Sequence, residues 1–479
     1  MSEQQGQGGV TQAAPRPQRS EELELEIDSL AFGGEGVARL GESGYVVFVA
    51  GAVPGDRVRA VVYKRKRSYA HARTLEVLRA SPERIPPRAA HPGVPWQVLP
   101  YERQLEVKRA QVGEALARLG GLQDFELEQI VPAVEQWRYR NKLEYSFGNG
   151  EELVCGFHDA AGARQVSAIE DCLLASEQGN RARQLALAWS REQGLRAWER
   201  GRRRDEGRDE GVGPGPDGRA RLRNLVVREG RRTGMLQVRL VSTDGELDVS
   251  SLAQTLAAGL GEALSGVLWT RSRSPAETTA GGETELVWGE GELPERLCGL
   301  ELRISAEAFF QTNTEMAETL YGAIAEYAAL EGFERVYDLY CGIGSIALTL
   351  APRAGELWGI ELLETAVADA IAGAERNAVT NAHFFAGETR TALPELLARA
   401  GRADVIVLDP PRAGLSKKVV HRIVEAAPRR IVYVSCNPTT LAPNAAELVA
   451  AGWTLRRVRP VDMFPQTHHI ECVALLERG

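Results

Sequence analysis

Three short stretches near the C-terminal end carry side chains able to do covalent chemistry. Val405-Ile-Val-Leu runs into Asp409-Pro-Pro-Arg-Ala-Gly, and Ile431-Val-Tyr-Val runs into Ser435-Cys-Asn-Pro. Cys436 thus comes just off an apolar strand, where a thiol can face a cleft, and cysteine is strongly nucleophilic even when little of it is thiolate. An inert buried cysteine is the competing reading. In Thr467-His-His-Ile-Glu-Cys, Glu471 is a candidate general base, and His468 and His469 compete for that role. The paired prolines lack two backbone donors, which leaves neighbouring carbonyls free to accept from a ligand.

A fourth stretch, Val336-Tyr-Asp-Leu-Tyr-Cys-Gly-Ile-Gly-Ser-Ile-Ala-Leu, reads as strand, tight turn and helix N-terminus. Gly342 and Gly344 permit close approach of a ligand to the backbone. The third glycine of a dinucleotide fingerprint is absent, so phosphate cradling is a weak reading. Glu361 closes a second strand 17 residues past Gly344. A carboxylate there suits two ribose hydroxyls, which nicotinamide and adenosylmethionine cofactors both carry.

The elements that must position these groups are strands separated by helices: Val336–Leu339, Leu357–Glu361, His383–Phe385, Val405–Leu408 and Ile431–Val434, then a Thr454–Val458 and Ile470–Leu476 pair. This is the pattern of an α/β, doubly wound sheet ending in a hairpin, and such sheets bind ligands beyond the carboxyl ends of their strands. Ahead of it, Met316, Leu320, Ile324, Tyr327 and Leu330 repeat at helical spacing and are expected in the core. Gln311 and Asn313 precede that helix, where an amide caps the helix or touches a ligand; the pattern alone favours the cap for both.

A chain of 479 residues exceeds one core, and its composition is that of ordinary soluble proteins. No apolar run approaches the ~20 residues of a membrane span. Residues 1–19 read as a disordered lead without a signal peptide's apolar core, and six scattered cysteines suit a reducing, cytoplasmic setting. The formal net charge is −8, yet Arg57, Arg59, Lys64, Arg65, Lys66, Arg67 and Arg73 form a basic stripe free of acids, flanked by Tyr63 and Tyr69. Such a stripe can bind phosphate on an acidic protein, or it is a solvated strand face. Short strands with glycine turns over 20–80 suggest a small barrel. A Pro-rich connector follows over 81–100, then a helix over 101–119 with Leu105, Val112, Leu116 and Leu119 on one face, then mixed α/β sequence to 300. Within the latter, Arg138 to Phe147 reads as a strand with exposed cations, Lys142 among them, while 198–223 reads as a mobile loop and 271–283 as a second exposed loop.

Five motifs in order resemble the RNA uracil-5-methyltransferases, which make 5-methyluridine with S-adenosylmethionine: Asp338-Leu-Tyr-Cys-Gly-Ile-Gly, Gly359-Ile-Glu, Leu408-Asp-Pro-Pro-Arg-Ala-Gly, Tyr433-Val-Ser-Cys-Asn-Pro-Thr-Thr-Leu and Asp462-Met-Phe-Pro-Gln-Thr-His-His-Ile-Glu. The start, with Leu30-Ala-Phe-Gly-Gly-Glu-Gly-Val-Ala, Val46-Val-Phe-Val and Pro54-Gly-Asp, resembles a TRAM domain, an OB-like RNA-binding β-barrel. The resemblance implies a Rossmann-like class I methyltransferase domain over 301–479, the TRAM barrel over 20–80, and a mixed α/β RNA-binding domain over 81–300 whose first helix packs on the catalytic domain. It implies Cys436 as nucleophile and Glu471 as base. It puts Gln311, Tyr340, Gly342, Ser345, Glu361, Glu388 and Asp409 around S-adenosylmethionine, with Ser345 where the family often has Asn. Lys64, Arg65, Lys66, Arg67, Lys142 and Arg412 are the expected RNA contacts. The implied partner is RNA, ribosomal before transfer RNA, with no membrane, and a monomer is the default.

Many TRAM-bearing members hold an iron–sulfur cluster on four cysteines. The stretch 88–98 has no cysteine, and only Cys172 matches, at the fourth position. One thiol cannot hold such a cluster, so neither a cluster nor any other metal site is expected. Three other readings compete with uracil methylation. Cytosine-5 methylation on RNA would also use a cysteine, but the surrounding pattern is the uracil one. Amino-group methylation calls for an Asn-Pro-Pro-Tyr-type turn and no nucleophile, which Asp409-Pro-Pro-Arg and Cys436 disfavour. A non-catalytic RNA-binding or assembly factor would not need Cys436, Glu471 and Glu361.

Overall fold

In a computed structural model, residues 16–41, 44–158, 165–199 and 213–479 are described. The expected disordered lead therefore lies outside them up to residue 15, as does 200–212 of the expected mobile loop. The chain forms two compact units, the first over 16–88 and 95–103, the second over 89–94, 104–158 and from 165 on.

The first unit holds six strands in the hydrogen-bonded order Glu22–Glu26, Arg57–Arg65, Tyr69–Arg79, Tyr45–Ala50, Gly36–Leu40, Ser29–Leu30. The alternating pattern of Arg57–Arg65 sends Val58, Ala60 and Val62 into one core with Leu25, Val47, Val49, Ala70 and Ala72. No pairing between the first and last strands of that order is recorded among the described residues. The Pro-rich connector is not a free spacer. Arg84 holds the buried Asp56 carboxylate through Nε and Nη2, and the Trp96 indole donates to Gly34 O at 3.3 Å.

The second unit contains two large sheets. One has seven strands in the order Val166–Ala168, Leu153–His158, Lys142–Asn149, Leu222–Gly230, Met235–Ser242, Leu264–Arg271, Glu283–Gly289, and the Glu177–Glu192 and Val249–Leu260 helices share its core. The described C-terminal end of the first expected loop and the second expected loop are more tightly held than their composition suggests. Ala220, Leu222 and Arg223 are buried, and the Arg223 guanidinium donates to Ser274 O and Ala276 O, so it ties the 271–283 connection to the sheet. Thr279 in that connection is buried and donates to Glu144.

The other sheet carries the chemistry-bearing motifs. Its elements are β1 (Arg335–Leu339), α1 (Ser345–Leu350), β2 (Glu356–Glu361), α2 (Glu364–Arg376), β3 (Ala382–Ala386), α3 (Thr389–Ala400), β4 (Val405–Leu408), α4 (Lys417–Ala426), β5 (Arg430–Ser435), α5 (Pro438–Ala450), β6 (Trp453–Val461) and β7 (Glu471–Arg478). The strand order is β3-β2-β1-β4-β5-β7-β6, extended by the short Glu126–Leu127 strand, and β7 runs antiparallel between β5 and β6. β1, β4 and β5 are buried along almost their whole length because helices cover both faces. Asn313 caps the Thr314–Ala328 helix by accepting from Met316 N, and Asn437 caps α5 by accepting from Thr439 N. That helix ends at Ala328 with Ala329 left-handed, so Leu330 lies past its end and is only partly buried.

The Tyr101–Gly120 helix departs from its apolar reading. Val112 and Leu116 are buried in the core of the β-sheet's α4/α5 face, but Leu119 is exposed, and the buried stripe continues through Gln104 and Lys108. Lys108 Nζ lies 2.6 Å from Asp462 Oδ1, both side chains fully covered, and donates to Phe464 O.

Candidate functional site

The carboxyl ends of β1, β2, β4 and β5 bring the singled-out residues to one edge of the sheet. Leu339 pairs with Ile360 and with Leu408, so Tyr340, Glu361 and Asp409 follow at adjacent strand ends. On the other side Ser435 pairs with Cys472, which makes Cys436 and Glu471 the next facing pair.

The turn after β1 is strained and tightly packed. Tyr340 has φ +70° and Gly344 has φ +78°; a Cβ on Gly344 would come within 2.9 Å of Ala370 and of the Phe384 ring, so only glycine fits. Glu361 is locked against this turn, accepting from Gly342 N at 3.1 Å and from the amides of Leu362 and Leu363. A carboxylate has about four acceptor sites, so capacity remains for ligand hydroxyls. Ser345, the first residue of α1, is buried and shares a 2.7 Å hydrogen bond with Tyr321. Glu388 stands at the N-cap of α3, where its carboxylate pairs with Arg390 and makes no cap. Gln311 is not a helix cap either; its Nε2 donates to Asp409 Oδ2 at 3.3 Å while Asn313 does the capping. Of the carbonyls in the Pro-Pro turn, that of Pro411 already accepts from Gly414 N.

Desolvation dominates the electrostatics. Burial, then the neighbouring Asp409, raises the Glu471 carboxyl well above its usual range, with Arg412 opposing. Asp409 itself is raised by burial to about 6, against the Gln311 hydrogen bond. Asp338, inside β1, is raised by burial and then by Asp409 to about 8. Neither of its oxygens has a well-formed partner, although the Ala347 amide offsets part of the cost. Burial and then Glu471 push the half-buried Cys436 thiol up to about 12, with Arg412 pulling the other way. Sequence reasoning missed Asp338 and Tyr321. A lone acid flanked by Val336, Tyr337 and Leu339 in a buried strand was the available signal for Asp338.

Arg412 has an exposed side chain whose Nη2 lies 3.0 Å from His469 Nδ1. The His469 ring lies 4.0 Å from the His468 ring, centroid to centroid and tilted by 47°, and meets Phe464 edge-on. Burial is the first cause that lowers both histidines, to about 4 for His468 and about 3 for His469, so both are neutral near pH 7. Neutral imidazole ring nitrogens accept or donate according to tautomer, and the Arg412 contact makes Nδ1 the acceptor.

Two expectations need correction or restriction. Lys142 is not an exposed cation, because its side chain is 23% accessible and pairs with Glu144 at 2.5 Å. Burial and then Arg228 lower its pKa, which is the signature of an ammonium held in crowded, partly desolvated surroundings. Cys172 is fully buried with its sulfur 3.3 Å from His91 Nε2. Among the described residues no group of three or more His, Cys, Asp or Glu is arranged to hold a metal ion, and a four-thiolate cluster does not fit these donors. Lys64, Arg65, Lys66 and Arg67 lie at an exposed strand turn, and no ion pair is recorded for them among the described residues. Arg57 and Arg59, by contrast, pair with Glu24 and Glu76. No helix among the described residues is long and apolar enough to cross a membrane.

Comparison with known proteins gives the architecture its context. The family model for tRNA (uracil-5-)-methyltransferase matches residues 295–479, and that for the TRAM domain matches 17–75. An uncharacterized RNA methyltransferase of Halalkalibacterium halodurans is 34% identical over 96% of this chain and 97% of its own length. Another, from Chlorobaculum tepidum, is 37% identical over 91% and 92%. Among solved structures, the Pyrococcus abyssi tRNA (uracil-54, C5)-methyltransferase in complex with S-adenosyl-L-homocysteine is similar at a TM-score of 0.74 and 26% identity, covering 95% of this chain and 99% of that one. An acid-lined edge at the strand ends suits a cofactor with a net positive charge. The chain belongs to the RNA uracil-5-methyltransferases, with a TRAM domain at its start and a class I S-adenosylmethionine-dependent methyltransferase domain at its end.

Proposed function

We infer that the chain methylates carbon 5 of a uridine in RNA through a covalent adduct on Cys436, with 23S ribosomal RNA as the first target. The β5–β7 register carries this reading. It sets a half-buried thiol beside a buried carboxyl, on the same sheet edge as Asp409, one strand away, and Glu361, three strands away.

Carbon 5 of uracil is too weak a nucleophile to take a methyl group unaided. In this reading Cys436 loses its proton and adds to carbon 6, which makes carbon 5 enolate-like and divides one hard step into easier ones. When bound, S-adenosylmethionine supplies an electrophilic methyl group on a sulfonium, which carbon 5 takes. Glu471 then accepts the carbon 5 proton and the sulfur leaves carbon 6 with its electron pair. Glu361, fixed by three amides, would orient the ribose hydroxyls, and Gln311, Tyr340, Gly342, Ser345, Glu388 and Asp409 would complete the cofactor's surroundings. The uridine must leave its stack to reach the thiol, and Lys64, Arg65, Lys66, Arg67 and Arg412 are the cations proposed to hold the RNA.

Two substitutions test the chemistry. Cys436→Ala should abolish methylation with cofactor binding retained, and Glu471→Gln should accumulate an RNA–protein adduct visible on a denaturing gel. Methyl transfer at the native rate by either variant would remove that residue from the reaction. Transfer RNA is the second target reading, favoured by the full-length likeness to the tRNA (uracil-54, C5)-methyltransferase. Mapping 5-methyluridine in ribosomal and transfer RNA from cells with and without the gene decides between them.

A further inference from the structure

Arg412 is held from both ends. Its backbone carbonyl accepts from Asn437 Nδ2 at 3.2 Å and from Thr440 Oγ1 at 3.3 Å, which stitches the turn after β4 to the turn that carries Cys436. Its guanidinium is held by His469 Nδ1 at 3.0 Å, two residues before Glu471. His469 is in turn fixed by its own amide, which donates to Thr467 Oγ1, by the His468 ring and by the edge of Phe464. An exposed arginine ordinarily samples many rotamers, and an acceptor at one nitrogen removes much of that freedom.

The groups that face Cys436 are Glu471 and Cys472 from β7, Asp409 and Arg412 from the turn after β4, and Tyr433 on its own strand, with His468 and His469 neutral beside them. Arg412 is thus a cation facing a thiol otherwise surrounded by acids. We propose that His469 is a positioning residue: its Nδ1 lone pair holds the Arg412 guanidinium over the Cys436–Glu471 edge, where the charge balances the sulfur once the S–H bond breaks and the proton leaves to water. The sulfur keeps the electron pair, and no other reactant is needed. This role rests on the reading of Cys436 as nucleophile, but the contact is testable without turnover.

The test is the ratio of Cys436 alkylation by anionic iodoacetate to that by neutral iodoacetamide, resolved by peptide mass spectrometry on the full chain without RNA or cofactor. The two reagents are close in size, so their ratio reads local charge rather than access. His469→Leu removes the acceptor and should lower the ratio by about threefold, the effect of moving one charge a few ångströms in a wet site. His469→Asn sets an amide oxygen where Nδ1 stood and should restore the native ratio. Arg412→Gln should lower the ratio at least as far, and adding His469→Leu to it should change nothing more. A native ratio in His469→Leu overturns the proposal, as does a ratio in His469→Asn equal to that of His469→Leu, or additive effects in the double variant. Methylation by Cys436→Ala would sink the parent reading instead, and it would leave the alkylation result standing.

Discussion

Asp338, Asp409 and Glu471 are raised for one leading physical reason: each carboxylate must give up water, and Asp338 and Glu471 each feel Asp409 as well. A cation delivered among them favours their ionised forms. With Asp338 near 8 and Asp409 near 6, part of this set is protonated at pH 7, so cofactor uptake should expel protons and affinity should rise as pH increases from about 6 to about 9. Titration calorimetry in buffers of different ionisation enthalpy checks it; a heat independent of buffer would show that no proton moves. The same residues mark how far types and spacing carry. Cys436, Glu361 and Asp409 are legible as candidates because they stand where buried strands stop. Gln311 and Asn313 do not, since two amides one residue apart look alike as caps and only the turn of the backbone gives Asn313 the helix and Gln311 the Asp409 carboxylate.

The Tyr101–Gly120 helix illustrates the same point for an element. Its period was legible from Val112 and Leu116, each worth about 1.5–3 kcal/mol when fully buried. Its partner was not, because burying Gln104 and Lys108 makes sense only with Gln466 and Asp462 opposite, and those lie more than 350 residues further on. Burial lowers Lys108, and Asp462 holds the proton on. Lys108→Met leaves a buried carboxylate without its counter-ion and should cost about 3–5 kcal/mol, read as a fall in melting temperature. Lys108→Met with Asp462→Leu should regain most of that loss. If the double variant melts below the single one, the pair is not held together by charge compensation. The pairing also bears on chemistry, since Asp462 to Gln466 leads directly to His469 and Glu471, and is fastened further by Asn313 Nδ2 on Met463 O and Tyr139 on Pro465 O.

For the molecule as a whole, net charge is a poor guide to partner. A chain of −8 presents Lys64 to Arg67 on one exposed turn, while Arg57 and Arg59 on the same strand pair with Glu24 and Glu76. Changing those four residues to Gln should weaken RNA binding and flatten its logarithmic salt dependence by about 3, at about 0.7 per lost phosphate contact on single strands, with the turnover rate at saturating RNA preserved. An unchanged slope would mean the turn faces solvent even in the complex. The fastening of Gln104 and Lys108 to the chain's last eighteen residues has a consequence for biosynthesis. While the polypeptide is still leaving the ribosome, that helix carries an ammonium and an amide with nothing to meet them. The strand that leads to Cys436 likewise waits for its antiparallel neighbour. A nascent or prematurely terminated chain therefore has its TRAM domain long before the strand ends that bear Cys436 and Glu471 are assembled.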